Sequence, residues 1–123
     1  MGNGTNSHKD LIVWQKSMDL TLLIYKLTEK FPQREVYALS SQMRRAAISI
    51  ASNIAEGRNR GTRRDFSHFL RMAYGSASEL ETQLLICKQL SFCTEETFIL
   101  ANDLLTEISK MLRAMIKKLE ARS

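Results

Sequence analysis

The sequence predicts an all-α protein, an antiparallel up-and-down four-helix bundle, and three observations carry that prediction. One proline and five glycines in 123 residues leave long stretches without breakers, whereas an all-β chain needs turn signals every ten residues or so. Apolar residues recur at alternating spacings of four and three, as Phe66, Leu70, Ala73, Ala77, Leu80, Leu84 and Cys87, and again as Ala101, Leu105, Ile108, Leu112, Met115 and Leu119. That spacing is the buried seam of helices packed at shallow angles. Finally, Thr62 and Thr94 stand where helix caps belong, each followed within three positions by an acid.

The first helix spans 10 to 31, "DLIVWQKSMDLTLLIYKLTEKF", and stops before Pro32, which cannot continue it without penalty. At about 100° per residue, Leu11, Trp14, Met18, Leu22 and Tyr25 form one apolar stripe. Val13, Leu20, Ile24, Leu27 and Phe31 form a second, roughly opposite. A helix in a monomeric bundle needs one buried stripe. The second is therefore expected to face another subunit, and Val13, Leu20, Ile24, Leu27 and Phe31 are the candidate interface.

The second helix is expected from a Ser40 cap through "SQMRRAAISIASNIAE" to Gly57, read as a left-handed stop. Its buried side is small, with Ala46, Ala47, Ala51 and Ala55 around Ile50 and Ile54. The third helix answers with Ala73, Gly75, Ser76, Ala77 and Ser78, so close approach of these two helices is expected, with Gly75 as part of the seam. The third runs from Thr62 to about Leu90, and the fourth from Thr94 nearly to the C-terminus. Residues 1–9 read as a flexible polar tail and 10–123 as one domain.

Composition excludes several classes. The chain is 44% apolar and 25% charged, which is globular, and no apolar run reaches the roughly 18 residues of a membrane span. The N-terminus lacks the apolar core of a secretory signal, so a cytoplasmic location is expected. Cys87 and Cys93 are too few and too close for a disulfide framework. Cys87 lies on an apolar stripe and reads as a buried free thiol in a reducing compartment. His8 and His68 sit in no metal spacing. No nucleophile with a base, di-iron motif or phosphate-cradling glycine loop is present, so neither catalysis nor a cofactor is expected.

The net charge is +5, and its placement is uneven. Up-and-down topology brings the start of the first helix, the turn between the second and third, and the end of the fourth to one pole. That pole collects Lys9, Arg58, Arg60, Arg63, Arg64, Lys117, Lys118 and Arg122 against Asp10, Glu56, Asp65 and Glu120. Arginine's planar fork suits phosphate. Arg58, Arg60, Arg63, Arg64, Lys117 and Lys118 are the candidate nucleic-acid contacts, although a polar turn carries arginines for solvation alone as well. Without interleaved aromatics the pole is suited to backbone or RNA shape rather than to base stacking. A polar line down the second helix, Arg45, Ser49, Asn53 and Glu56, reads either as a hydrogen-bonded network at a subunit contact or as an ordinary solvent face.

The stretches "DLIVWQKSMDL", "FPQREVYALSSQMRRAAISIASNIAEGRNR" and "DFSHFLRMAYGSASELETQL" resemble the bacterial family of 23S rRNA intervening sequence proteins over residues 10 to 90. The fourth helix is similar only as an amphipathic pattern. The resemblance implies a homopentamer, five bundles arranged as a barrel. It also implies kinship with retroelement accessory variability proteins, basic pentamers that engage nucleic acid and a reverse transcriptase. Arg45, Ser49, Asn53, Glu56 and Gly57 match the family motif and are taken as architectural. The expected role is an oligomeric RNA- or DNA-binding accessory protein, or alternatively a protein-binding scaffold that recruits a partner such as a reverse transcriptase.

Overall fold

The computed structural model describes residues 8–121, which form four helices: α1 (His8–Glu29), α2 (Ser41–Arg58), α3 (Arg63–Gln89) and α4 (Glu95–Glu120). Each helix packs on its neighbour in sequence, and α1 also packs on α4, which closes the bundle. The ends match across it. Arg63, the first residue of α3, reaches the last turn of α4. Phe31, just past α1, packs against Phe92 in the α3–α4 turn with ring centroids 5.2 Å apart and the planes tilted by 51°. Of the expected tail, residues 1–7 lie outside the described residues, as does Arg122, while His8 and Lys9 are already helical.

The caps of α3 and α4 follow from sequence. Both Thr62 and Thr94 are extended, and their side-chain oxygens accept from the backbone N–H of Asp65 and Thr97, each at 3.1 Å. Two other punctuation marks fall elsewhere. Ser40 is itself helical and makes no cap bond, because a 3-10 turn (Gln33–Glu35) and a wide π-turn (Val36–Ser40) run without a break into α2. Gly57 lies inside α2 rather than past its end, and the left-handed glycine of the α2–α3 turn is Gly61 at φ 90°.

The roles of the glycines exchange as well. A methyl group at Gly57 would stand 2.6 Å from Phe69 Cβ and 3.1 Å from Phe66 Cδ1, so here the α2 backbone meets α3 side chains directly. A methyl at Gly75 would meet nothing within 4 Å, and Gly75 is exposed. Ala46, Ala47, Ala73 and Ala77 are buried as expected, and a direct polar contact between α2 and α3 is Ser49 Oγ with Ser76 Oγ at 2.8 Å.

The two stripes of α1 also trade places. Val13, Leu20, Ile24, Leu27 and Phe31 face the core, with Leu20 fully buried, and so cannot be the free face of a subunit. Leu11, Met18, Leu22 and Tyr25 face outward, with Leu22 61% exposed. The hydroxyls beside the inner stripe explain the choice. Ser17 Oγ and Thr28 Oγ1 donate to the carbonyls of Val13 and Ile24, both at 2.8 Å, and Thr21 Oγ1 reaches the carbonyls of Ser17 and, on α2, Ala47. A hydroxyl that satisfies itself on its own helix enters a core cheaply. Gln15, Asp19 and Lys26, beside the outer stripe, have no such recourse.

Candidate nucleic-acid interface

The α2–α3 turn is built by backbone before charge enters. Asn59 N–H donates to Ala55 O and Arg60 N–H to Gly57 O, both at 3.2 Å, Gly61 supplies the positive φ, and Thr62 opens α3.

The roles of the arginines then divide. Arg60 donates from Nε to Glu56 Oε2 at 2.9 Å, and its guanidinium lies 4.9 Å from the centre of the Phe69 ring. Arg63 extends across to α4, where Nη2 donates to the carbonyls of Lys118 and Leu119 at 3.4 and 3.3 Å. A cation there satisfies carbonyls left open by the helix end and faces the negative end of its dipole. Arg58, Arg64, Lys117 and Lys118 are exposed, and none of these four side chains has a hydrogen bond or ion pair among the described residues.

The turn and the end of α4 are further joined by a cluster that sequence reasoning missed. Ser67 Oγ donates to Glu120 Oε2 at 2.7 Å, and Arg71 Nε donates to the same oxygen at 2.6 Å while its Nη2 takes the other. The guanidinium of Arg71, then the hydroxyl of Ser67, hold the Glu120 carboxyl down at about 2. Arg71 was legible in principle. It follows Arg64 by seven positions and so shares its helix face. Lys9 and Lys110 also join this end, lining an open groove with Lys118 over Met111, Ala114 and Met115.

The family-motif residues of α2 bond within the chain. Ser49 Oγ meets Ser76 Oγ of α3 at 2.8 Å, and Asn53 Nδ2 donates to Ser49 O and Oγ at 2.9 and 3.0 Å. Glu56 holds Arg60, and Gly57 admits Phe69. Arg45 alone stands apart, exposed at the other end of α2 beside a groove shared with Tyr25, Arg44 and Ile48.

The model of the 23S rRNA-intervening sequence protein family matches residues 9–114. The chain belongs to this family. The match runs well into α4, further than the 10 to 90 over which the motifs resemble it. A solved structure from Bacteroides thetaiotaomicron VPI-5482, a protein of unknown function from the S23 ribosomal protein family, is 31% identical. It superposes with a TM-score of 0.81, covering 89% of this chain and 98% of that one. The search of curated proteins gave no match. The intervening-sequence family is non-catalytic, and this chain is a non-enzymatic four-helix bundle. Among the described residues no group of three His, Cys, Asp or Glu could hold a metal ion, and no helix is long and apolar enough to cross a membrane.

Proposed function

We propose that this intervening-sequence-family protein is a self-associating accessory protein that holds the phosphate backbone of nucleic acid, RNA in particular, against its basic pole. One observation carries the reading. Arg63 fastens the α2–α3 turn to the end of α4, which gathers the uncommitted cations Arg58, Arg64, Lys117 and Lys118 at one end of the bundle. Arg60 and Arg63 shape the pole, and the other four meet the ligand. Phosphate contacts of this kind position a duplex or loop without reading bases.

Self-association supports the same reading. The outward stripe of α1, Leu11, Met18, Leu22 and Tyr25, is the face a second copy would cover. A closed ring of copies, a pentameric barrel as the resemblance implies, would repeat the pole around one rim and multiply its field. The test is fluorescence anisotropy with a short duplex RNA, a single strand and a duplex DNA across a salt series. Binding should weaken linearly in log salt, by a slope of roughly 0.7–0.9 per phosphate contacted. The R58A/R64A/K117A/K118A variant should lose most of it. Equal binding by that variant, or none by the parent at low salt, removes the proposal.

The outward stripe also favours a second reading, a scaffold that recruits a protein such as a reverse transcriptase without touching nucleic acid. Co-purification that survives nuclease treatment but not Leu22→Glu supports that alternative.

A further inference from the structure

The α3–α4 turn places two thiols together by a specific backbone device. Beyond Gln89 the chain enters the left-handed region at Ser91, φ 61°. Phe92 N–H then donates to Cys87 O and Ser91 N–H to Lys88 O, both at 3.0 Å. These are the paired bonds of a Schellman helix stop, which folds the residues after the helix back over its last turn. Cys93 therefore returns alongside Cys87, and both pack against the same apolar core. Cys87 is fully buried, whereas Cys93 is partly exposed and lines an open groove with Lys26, Glu29, Lys30 and Phe92, two cations against one carboxylate.

We infer that Cys87 and Cys93 are a closable dithiol, a two-electron redox site whose oxidant is a small anionic disulfide entering beside Lys26 and Lys30. Cys93 is the reachable thiol and Cys87 the resolving one. The Cys93 thiolate attacks one sulfur of R–S–S–R and expels RS⁻. Cys87 loses its proton to solvent and attacks Cys93 Sγ, breaking the mixed disulfide and expelling the second RS⁻. Each leaving thiolate takes up a proton, so two cysteine thiols are oxidised and R–S–S–R is reduced to two RSH. Burial, and then the hydrogen bond with Cys93, push the Cys87 thiol far above its ordinary range, which makes the second step the slow one. Closure would fix the segment carrying Phe92, whose ring rests on Phe31 at the end of α1.

The probe is oxidised glutathione, applied to the full chain at mildly alkaline pH, followed by acid quench, thiol alkylation, intact mass and peptide mapping. The wild type should convert to an internal Cys87–Cys93 disulfide, lose two hydrogens without added mass, and recover with dithiothreitol. Cys87→Ala should stop at a glutathione adduct on Cys93, and Cys93→Ser should leave Cys87 unmodified. A stable glutathione adduct on the wild type, a disulfide between chains, or no reaction under conditions that saturate Cys87→Ala overturns the inference. Because the wild-type map alone decides between closure and adduct, the test stands even if Cys87→Ala folds poorly.

Discussion

Arg63 donates a hydrogen bond to the carbonyl of Leu119 at 3.3 Å, so the first residue of α3 closes the last turn of α4. Its neighbour Arg64 makes no such bond and stands in solvent. Two adjacent arginines thus do different work, and they can be separated. Arg63→Ala should cost about 1 kcal/mol, the scale of a partly exposed charge-assisted bond, and lower the melting temperature by about 4 °C. Arg64→Ala should leave the melting temperature unchanged and weaken RNA binding. Thermal denaturation and anisotropy on both variants check the division, and equal effects of the two substitutions on both measurements would contradict it.

The two helical glycines should respond to alanine with opposite signs. Gly75→Ala meets open space and should stabilise by about 0.5–1 kcal/mol, the helix-propensity gain. Gly57→Ala forces the new methyl against Phe69 and should destabilise by roughly 1–3 kcal/mol despite that gain. Denaturant melts of both variants give the signs directly.

Acid should loosen the α3–α4 junction first. Glu120 is held at about 2, below the ordinary carboxylate value, by Arg71 and then Ser67. Because the folded value is the lower one, its contribution is complete above pH of about 4.5 and is lost as pH falls toward about 2. Glu120→Gln should remove this component, so the stability difference from wild type shrinks across that window. The chemical shift of the Glu120 carboxyl carbon, followed in a pH titration, reads the midpoint. An ordinary midpoint near 4.5 would contradict the contact.

The two faces of α1 make contrasting demands. Leu22→Glu lies on the outward stripe and should reduce the particle mass seen by light scattering while the helical circular dichroism persists. Leu20→Ala lies in the core and should cost about 2–5 kcal/mol. A wild type that already scatters as a single chain at every concentration would remove the self-association proposal.

Much of the fold was legible because its signals are local. The seams of α3 and α4 and the threonine caps at Thr62 and Thr94 depend only on spacing and on one hydroxyl reaching its own backbone. The orientation of α1 was harder to read, since Leu22 and Leu20 are equally apolar and the distinguishing mark lies in Ser17, Thr21 and Thr28 beside the inner stripe, whose hydroxyls are satisfied on their own helix. In the sequence Gly57 resembles a stop because a glycine before a polar turn usually is one. Its actual partner, Phe69, is twelve residues away, on the next helix. The basic residues of the pole could be counted from sequence. That Arg60 and Arg63 are already engaged, by Glu56 and by the end of α4, could not.

The clasp between Arg63 and the α4 carbonyls has a consequence for protein engineering. A peptide copying residues 58–64, or the same heptad transplanted into an unrelated hairpin, would inherit the cations without the anvil against which Arg63 is set. The segment is not a portable tag: its geometry belongs as much to the far end of the chain as to the seven residues that spell it.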